Sequence, residues 1–359
     1  MTQDCTAVRE NSMKACVLNG PKQYEVKEIP VPEIRSDEVL LRVLTAGICV
    51  NDVRDYMGCK WSYPRIGGHE YSAVIEKIGE DVDKNLLRVG DKVINYIIDD
   101  CGVCPECKHG HENICSNFTK GTAYYNDHGF SGFMGFAQYA VAKPRHLYVY
   151  DRSTPDDEAA FTEPLACVIN SINRSHIKMG DEVAVIGGGV MGMLHVLCAK
   201  KQGAHVILSE IDEERRKIGL RLGADAVINP MDSDPVEQIR KLTHGRGADV
   251  VEDTTPVPAV AAQAIQMTAK NGLCNMFSSI HPNDSILVDA GRLHSQEIYV
   301  TGTQNGTIES FAQAIDCISK KIIDVRPLIA KTFEYTDIAD AMEYAARPDT
   351  YKVMLHFSD

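Results

Sequence analysis

No stretch of this 359-residue chain is long and apolar enough to read as a membrane-spanning helix. The segment from Val183 to Ala199 comes nearest and is broken by His195 and by glycines. Residues Met1 to Ser12 carry acids and polar groups in place of the apolar core of a secretory signal. Basic clusters are missing too: 37 Lys and Arg against 50 Asp and Glu leave a net charge of -13, which repels a phosphate backbone. No nucleic-acid or membrane partner is expected, and a cytoplasmic setting is. Solenoid-scale repeats and low-complexity tracts are absent. What remains is ordinary globular composition, 44% apolar and 24% charged, at a length suited to two domains.

Cysteine breaks this plainness. Twelve occur, and in a reducing compartment they argue against a disulfide framework and for metal or thiol chemistry. Four lie inside fifteen residues as Cys101-x2-Cys104-x2-Cys107-x7-Cys115. Zn2+ prefers sulfur donors, and close spacing lets one loop wrap the ion at small closure entropy, so a closed tetrahedral thiolate site is expected. A [4Fe–4S] set is spaced more tightly around its fourth cysteine and ends in Cys-Pro. Here Ser116 follows Cys115, which favours zinc. Cys5, Cys16, Cys59, Cys198, Cys274 and Cys317 belong to no motif and are expected to pack in the interior.

From Gly180 onward, short apolar runs alternate with helical patterns, as successive strand-helix units of a parallel sheet require. Val183–Ile186, His205–Ser209, Ala226–Ile228, Val250–Glu252, Leu273–Phe277 and Ile298–Thr301 read as six strands. Asp212 and Asp234-Pro235 are placed to start helices, and Gly223 and Gly245 to end them. The first 155 residues are instead β-rich, with Val39–Val43, Ser72–Ile78 and Val93–Ile98 separated by turn residues. Near the end, helices are expected over Thr307–Lys320 and Asp337–Ala346, with Ile308, Phe311, Ile315 and Ile318 on one apolar face. The two ends of the chain are expected to share a domain.

The second strong pattern is Val183-Ala-Val-Ile-Gly187-Gly-Gly189-Val-Met-Gly192, lying between a strand and a helix. In Gly-x-Gly-x-x-Gly the first glycine turns sharply, the second lets pyrophosphate approach backbone N–H groups, and the third permits close helix-strand contact. Glu210 ends the next strand, where a carboxylate accepts hydrogen bonds from the ribose hydroxyls and repels a 2′-phosphate. NAD is therefore favoured over NADP, although Arg215 and Arg216 keep NADP open. A third set, Cys49, His69 and Glu70, offers one thiolate, one imidazole and one carboxylate. These can converge on a zinc ion that keeps a position for water or substrate.

Gly47-Ile-Cys-Val-Asn-Asp52, Gly68-His-Glu70, the four-cysteine loop and the glycine loop occur in that order. Order and spacing closely resemble the zinc-dependent medium-chain alcohol dehydrogenase family, with its polyol (sorbitol-type) and threonine-type branches nearest. The resemblance runs from about Met13 to the last residues. It implies an α/β fold: a doubly wound Rossmann sheet over residues 157–299, and a β-rich GroES-like catalytic domain over 1–156 and 300–359, with a structural-zinc lobe near 99–117. It makes Cys49 and His69 ligands of a catalytic zinc, Glu70 an adjoining ligand or neighbouring acid, and Glu163 the carboxylate that polyol-type members place by the metal. Asp52 becomes the partner orienting His69, and Cys101, Cys104, Cys107 and Cys115 hold the structural zinc. A homodimer or homotetramer is implied.

Three departures from the family pattern bear on chemistry. Val50-Asn51-Asp52 stands where many members have Gly-Ser-Asp or Gly-Thr-Asp, and the Asn51 amide has no ionisable group to relay a proton. Arg54 replaces a histidine, and Ala73 replaces a glycine. The expected reaction is reversible oxidation of a secondary alcohol on a small polyol, sugar-derived or cyclitol substrate, with hydride passing to NAD and Glu163 or water taking the proton. A threonine-type amino-alcohol dehydrogenase is the alternative enzyme, and a non-catalytic dinucleotide-binding sensor the alternative of another class.

Overall fold

A computed structural model of the protein describes residues 12–59, 63–118 and 129–358, so Cys5 lies outside the described residues. In chain order the first elements are β1 (Ser12–Leu18), β2 (Tyr24–Pro30), β3 (Val39–Gly47), α1 (Val50–Tyr56), β4 (Glu70–Ile78) and β5 (Lys92–Asn95). A four-residue helix α2 (Pro105–Lys108), then β6 (Tyr139–Ala142), β7 (Leu147–Val149), α3 (Asp156–Ala160) and α4 (Thr162–Ser175) follow. Next come β8 (Glu182–Ile186), α5 (Val190–Lys201), β9 (His205–Ser209), α6 (Glu213–Leu222), β10 (Ala226–Ile228) and α7 (Pro235–Leu242). Then β11 (Ala248–Asp253), α8 (Pro258–Met267), β12 (Thr268–Met276), α9 (Ala290–Gln296) and β13 (Tyr299–Gly302) complete this middle part. The chain closes with α10 (Ile308–Ser319), β14 (Ile329–Glu334), α11 (Ile338–Ala345) and β15 (Lys352–His356).

Contacts divide the chain into two units, one running up to Glu163 and resuming at Phe311, the other spanning Pro164–Ser310. The boundary expected at 299/300 falls inside β13. Pairing of Leu273 through Met276 with Tyr299 through Gly302 makes that strand part of the parallel sheet, so the division lies beyond it.

In the first unit, β1 and β2 form an antiparallel hairpin, and seven strands form a sheet in the order β14-β15-β3-β4-β5-β7, with β6 also on β3. The middle strand β3 is buried on both faces, which is why Val39, Leu41, Val43 and Ala46 read as a near-continuous apolar run. β15 brings the end of the chain onto β3, pairing Met354 with Gly47. The helical face read near the end is present for Phe311, Ile315 and Ile318, which are buried. Ile308, the first residue of α10, is 40% exposed, although Ser310 and Phe311 in the same turn are buried. Phe311 meets Tyr96 edge-on at 5.3 Å, and burial of a phenyl ring contributes about 1.5–3 kcal/mol.

In the second unit, six parallel strands run β10-β9-β8-β11-β12-β13. Counted within the unit this is the order 3-2-1-4-5-6, and the direction of winding reverses between β8 and β11. Asp212 and Asp234 cap α6 and α7 as read, accepting from Arg215 N and Val236 N, and Gly223 ends α6 at φ 111°. α7 stops at Thr243; Gly245, two residues on, turns the chain back at φ 86° and donates its N–H to Arg240 O. One sheet face packs an apolar cluster containing Ala184, Ile186, Ile207, Val251 and Ile265. The other carries a buried acid: Glu252 accepts from Ser175 on one oxygen and from Ser171 and Asn275 on the other. His195 bonds the same Ser171 at 2.9 Å, so each polar group there has a partner, as burial demands.

Candidate metal centres and nucleotide site

Cys104 caps the start of α2 and Pro105 occupies its first turn, and a single 3-10 turn over Glu112–Ile114 then returns the chain to Cys115. The four sulfurs of Cys101, Cys104, Cys107 and Cys115 lie within 4.8 Å of one another. Backbone N–H groups point at them: Cys104 N to Cys101 Sγ at 3.3 Å and Cys101 N to Cys115 Sγ at 3.4 Å. Hydrogen bonds from the Val103 backbone, then from Asn117 and Cys104, bring the Cys101 thiol down to about 6. Donors that favour the thiolate also favour a metal, which binds the deprotonated sulfur. The lobe is tied back through Asp100, whose carboxylate meets His146 Nε2 at 3.0 Å and Arg145 at 3.2 Å.

The second constellation is assembled from one helix start and one strand start. Cys49 is the N-cap of α1, with its N–H bonded to Asp52 Oδ2 at 3.0 Å, while His69 and Glu70 lead into β4. Their donor atoms also lie within 4.8 Å of one another. Gly68 sits at φ 81°, and a Cβ there would fall 2.5 Å from the Phe136 ring, so the bend that presents His69 needs glycine. At Gly47, paired opposite Glu70, a Cβ would come within 2.6 Å of Glu70 Oε2. The missing side chain there makes the room that the carboxylate fills.

Burial raises the Cys49 thiol. Burial alone would depress His69, but the adjacent Cys49, with Asp52 and Glu163, holds it well above the ordinary imidazole value. A thiol, an imidazole and a carboxylate converging in this way are the sulfur, nitrogen and oxygen donors that suit zinc. Glu70 differs from expectation in one respect: both its oxygens contact Lys352 Nζ, at 2.5 and 2.8 Å, and Lys352 also donates to Ile48 O. Burial disfavours the Lys352 charge, yet Glu70 and then Cys49 outweigh that and raise its pKa. Asp52 gives its carboxylate to the N–H groups of Cys49 and Gly68, and its approach to His69 Nδ1 is 3.9 Å, too long for a hydrogen bond. Glu163, in the first turn of α4, acts electrostatically on both His69 and Lys352. Asn51 accepts from Arg54 at 3.3 Å on the half-buried side of α1.

In the nucleotide unit, β8 ends at the glycine loop on the strand-order reversal. Gly187 turns at φ 95°, and a Cβ at Gly192 would lie 1.8 Å from Gly187 O. At Gly189, the N-cap of α5, a Cβ would meet nothing within 4 Å. That open approach to the N-terminus of a twelve-residue helix suits an anionic pyrophosphate. Glu210 is buried, bonding Gly188 N at 2.5 Å and Asp212 N at 2.8 Å, and a carboxylate so placed keeps lone pairs for a ribose. The Arg215 backbone N–H serves the α6 cap, while Arg216 donates to Glu210 O and Ile211 O.

Lys352 belongs to no motif, although a buried lysine opening the apolar run Val353, Met354 and Leu355 of the closing strand is itself a signal. Cys16, Cys198 and Cys274 are buried as expected; Cys317 is half-buried, and Cys59, just past α1, is exposed because the chain there leaves the core. Among the described residues, no helix is long and apolar enough to cross a membrane.

A nucleotide-type parallel sheet, a β-rich unit and two sulfur-containing donor sets define the class: a zinc- and dinucleotide-dependent oxidoreductase. Residues 35–152 match the alcohol dehydrogenase GroES-like domain, and residues 190–320 match the zinc-binding dehydrogenase domain. A 2-dehydro-3-deoxy-L-galactonate 5-dehydrogenase of Pseudoalteromonas atlantica is 31% identical over 92% of this chain and 94% of its own length. Sorbitol dehydrogenase of Bacillus subtilis is 28% identical over 96% and 97%. Among solved structures, a putative zinc-binding dehydrogenase from Sinorhizobium meliloti bound to NADP superposes with a TM-score of 0.88 at 26% identity, covering 97% of this chain and 100% of that one. An alcohol dehydrogenase from E. coli CFT073 complexed with NADH gives 0.87 at 26%, with the same coverage. The chain belongs to the zinc-dependent medium-chain alcohol dehydrogenase family.

Removing one member of a buried ion pair leaves the other charge uncompensated, at a cost of about 3–5 kcal/mol. Lys352→Met is therefore expected to lower the melting temperature of metal-stripped protein more than that of metal-loaded protein, if a cation bound among Cys49, His69 and Glu70 offsets the lost charge. Equal losses in the two forms, measured by calorimetry, would contradict the charge-balancing role.

Proposed function

We propose that the protein reversibly oxidises a secondary alcohol on a polyol, sugar-derived or cyclitol substrate, with NAD as hydride acceptor. The observation that carries this reading is the convergence of Cys49, His69 and Glu70 donor atoms within 4.8 Å in the β-rich unit. Cys49 and His69 hold the catalytic zinc, Glu70 and Glu163 supply neighbouring negative charge, and the four-cysteine loop holds a structural zinc. Zinc bound by this set supplies a Lewis acid for a substrate oxygen, and NAD a hydride acceptor. Glu163 takes the proton that the Asn51 amide cannot relay. Asp52 fixes the backbone at Cys49 and Gly68, and so the separation of the two residues that hold the metal. Relatives named for sorbitol and for a deoxy sugar acid support the substrate class.

The test pairs a substrate panel with a variant. Polyols, sugar acids, cyclitols and L-threonine are each offered with NAD while NADH absorbance is followed; a response to L-threonine alone would replace this reading with the amino-alcohol one. Cys49→Ala is expected to abolish turnover while NADH binding persists, and undiminished turnover would remove the metal from the reaction.

Preference for NAD rests on Glu210. Loss of a hydrogen bond to a charged group costs about 1.5–3 kcal/mol, so Glu210→Gln is expected to weaken NADH binding about tenfold or more and to narrow the gap to NADPH. Fluorescence titration with both cofactors reads this directly, and an unchanged ratio of affinities would contradict the assignment.

The same reading includes a homodimer or homotetramer in a reducing cytoplasm. β13 is the last strand of its sheet, with Tyr299 60% and Val300 42% exposed, an apolar edge suited to a second copy. Val300→Asp is expected to shift the protein toward monomer in sedimentation; an unaltered assembly would place the interface elsewhere.

A further inference from the structure

Two polar ties, one helical turn apart, join α1 to the segment that leads into His69. The first is Asp52, which receives the Gly68 N–H at 3.2 Å. The second is Asp55, three residues on and therefore on the same helix face. Arg65 Nε meets Asp55 Oδ2 at 2.8 Å, with the two side chains only 6% and 3% exposed. Tyr63 Oη donates to the Asp55 backbone oxygen at 2.7 Å. Arg65 is itself held firmly: its N–H donates to Leu18 O at 2.9 Å, its carbonyl accepts from Leu18 N at 2.8 Å, and it bridges to Ser131. Neither Arg65 nor Asp55 belongs to the converging donor set.

Stability alone does not explain an ion pair in this place. Well-packed apolar residues of similar volume commonly serve as well as a buried salt bridge or better. What the pair adds is a buried contact of opposite charges that holds Asp55 against an Arg65 whose own backbone is fixed to Leu18. Cys49 sits at the N-terminal end of a seven-residue helix whose far end is held at Tyr56 by Glu343 and Lys22. Its face toward the Tyr63–Glu70 segment is held at Asp52 and Asp55. A roll of about 20° carries an atom ~5 Å from a helix axis through nearly 2 Å. Metal–ligand distances tolerate about 0.2 Å. The contacts at Asp55, together with those at Asp52 and Tyr56, restrict that roll from both ends of the helix.

We propose that Arg65 and Asp55 are positioning residues for the metal centre, setting the rotation of α1 against the Tyr63–Glu70 segment so that the Cys49 sulfur and the His69 ring stand at chelating separation before the metal arrives. This inference rests on the reading of Cys49 and His69 as holders of the catalytic zinc. It goes beyond that reading by assigning the site's preorganisation to a pair that touches neither metal nor substrate.

The test uses full-length protein with cobalt(II) in place of zinc, so that thiolate-to-cobalt absorption reports each site during competition with a chelator. The variants are Arg65→Met, Arg65→Lys and the double change Asp55→Leu with Arg65→Met, which restores an apolar interior without the ion pair. The double variant is expected to melt near the wild type, yet to release cobalt from the Cys49 site at least tenfold more readily, with an altered absorption band. The four-cysteine site should be unchanged in the same sample. Arg65→Lys should recover part of the affinity. Wild-type affinity and spectrum at the Cys49 site in the double variant would overturn the proposal, as would parallel weakening of both sites that follows the melting temperature. A Cys49→Ala variant with the same metal content as wild type would overturn the metal reading itself, and the positioning role with it.

Discussion

Gathering a sulfur, an imidazole and a carboxylate within 4.8 Å in a buried pocket is electrostatically unfavourable unless cations sit among them. Lys352 supplies one such charge, arriving on the last strand of the chain and reaching both oxygens of Glu70. On the proposed reading, a zinc ion would supply the other. The rest of the β-rich unit can be understood as the scaffold that this charge balance requires. β15 must lie against β3, Gly47 must lack a side chain, and Gly68 must bend at positive φ for the donors to meet.

The nucleotide unit solves a different problem, that of offering a backbone surface to an anion while keeping strand and helix in close contact. The three glycines divide the work: Gly187 turns, Gly189 leaves open space at the helix start, and Gly192 lets α5 pass within reach of Gly187 O. Glu210 is held by the loop it serves through Gly188, so its position follows from the same turn. Behind the sheet, Glu252 with Ser171, Ser175, Asn275 and His195 ties α4 and α5 to β11 and β12 through hydrogen bonds that apolar packing would not make directional.

Much of this was legible beforehand where the signal is local. The His205–Ser209 and Ala226–Ile228 strands, the caps at Asp212 and Asp234 and the stop at Gly223 depend on short-range sterics and hydrogen bonding, and they occur where read. The four-cysteine loop closes within fifteen residues, so its spacing nearly specifies its geometry. Less legible was whatever depends on distant strands. The domain boundary beyond β13 follows from pairing with β12, the exposure of Cys59 from the path after α1, and the engagement of Glu70 from a lysine 282 residues away.

Residue order and type were thus enough to determine the kinds of chemistry present: sulfur-rich metal sites, a pyrophosphate loop and a family. Each of those resides in a contiguous segment whose spacing limits what the backbone can do. Only the tertiary structure decided which charges face one another, namely Lys352 with Glu70 and Arg65 with Asp55, and that Asp52 grips backbone rather than the His69 ring. Those pairings arise where burial brings remote segments together and removes the water that would otherwise solvate each charge alone, a condition that no local spacing encodes.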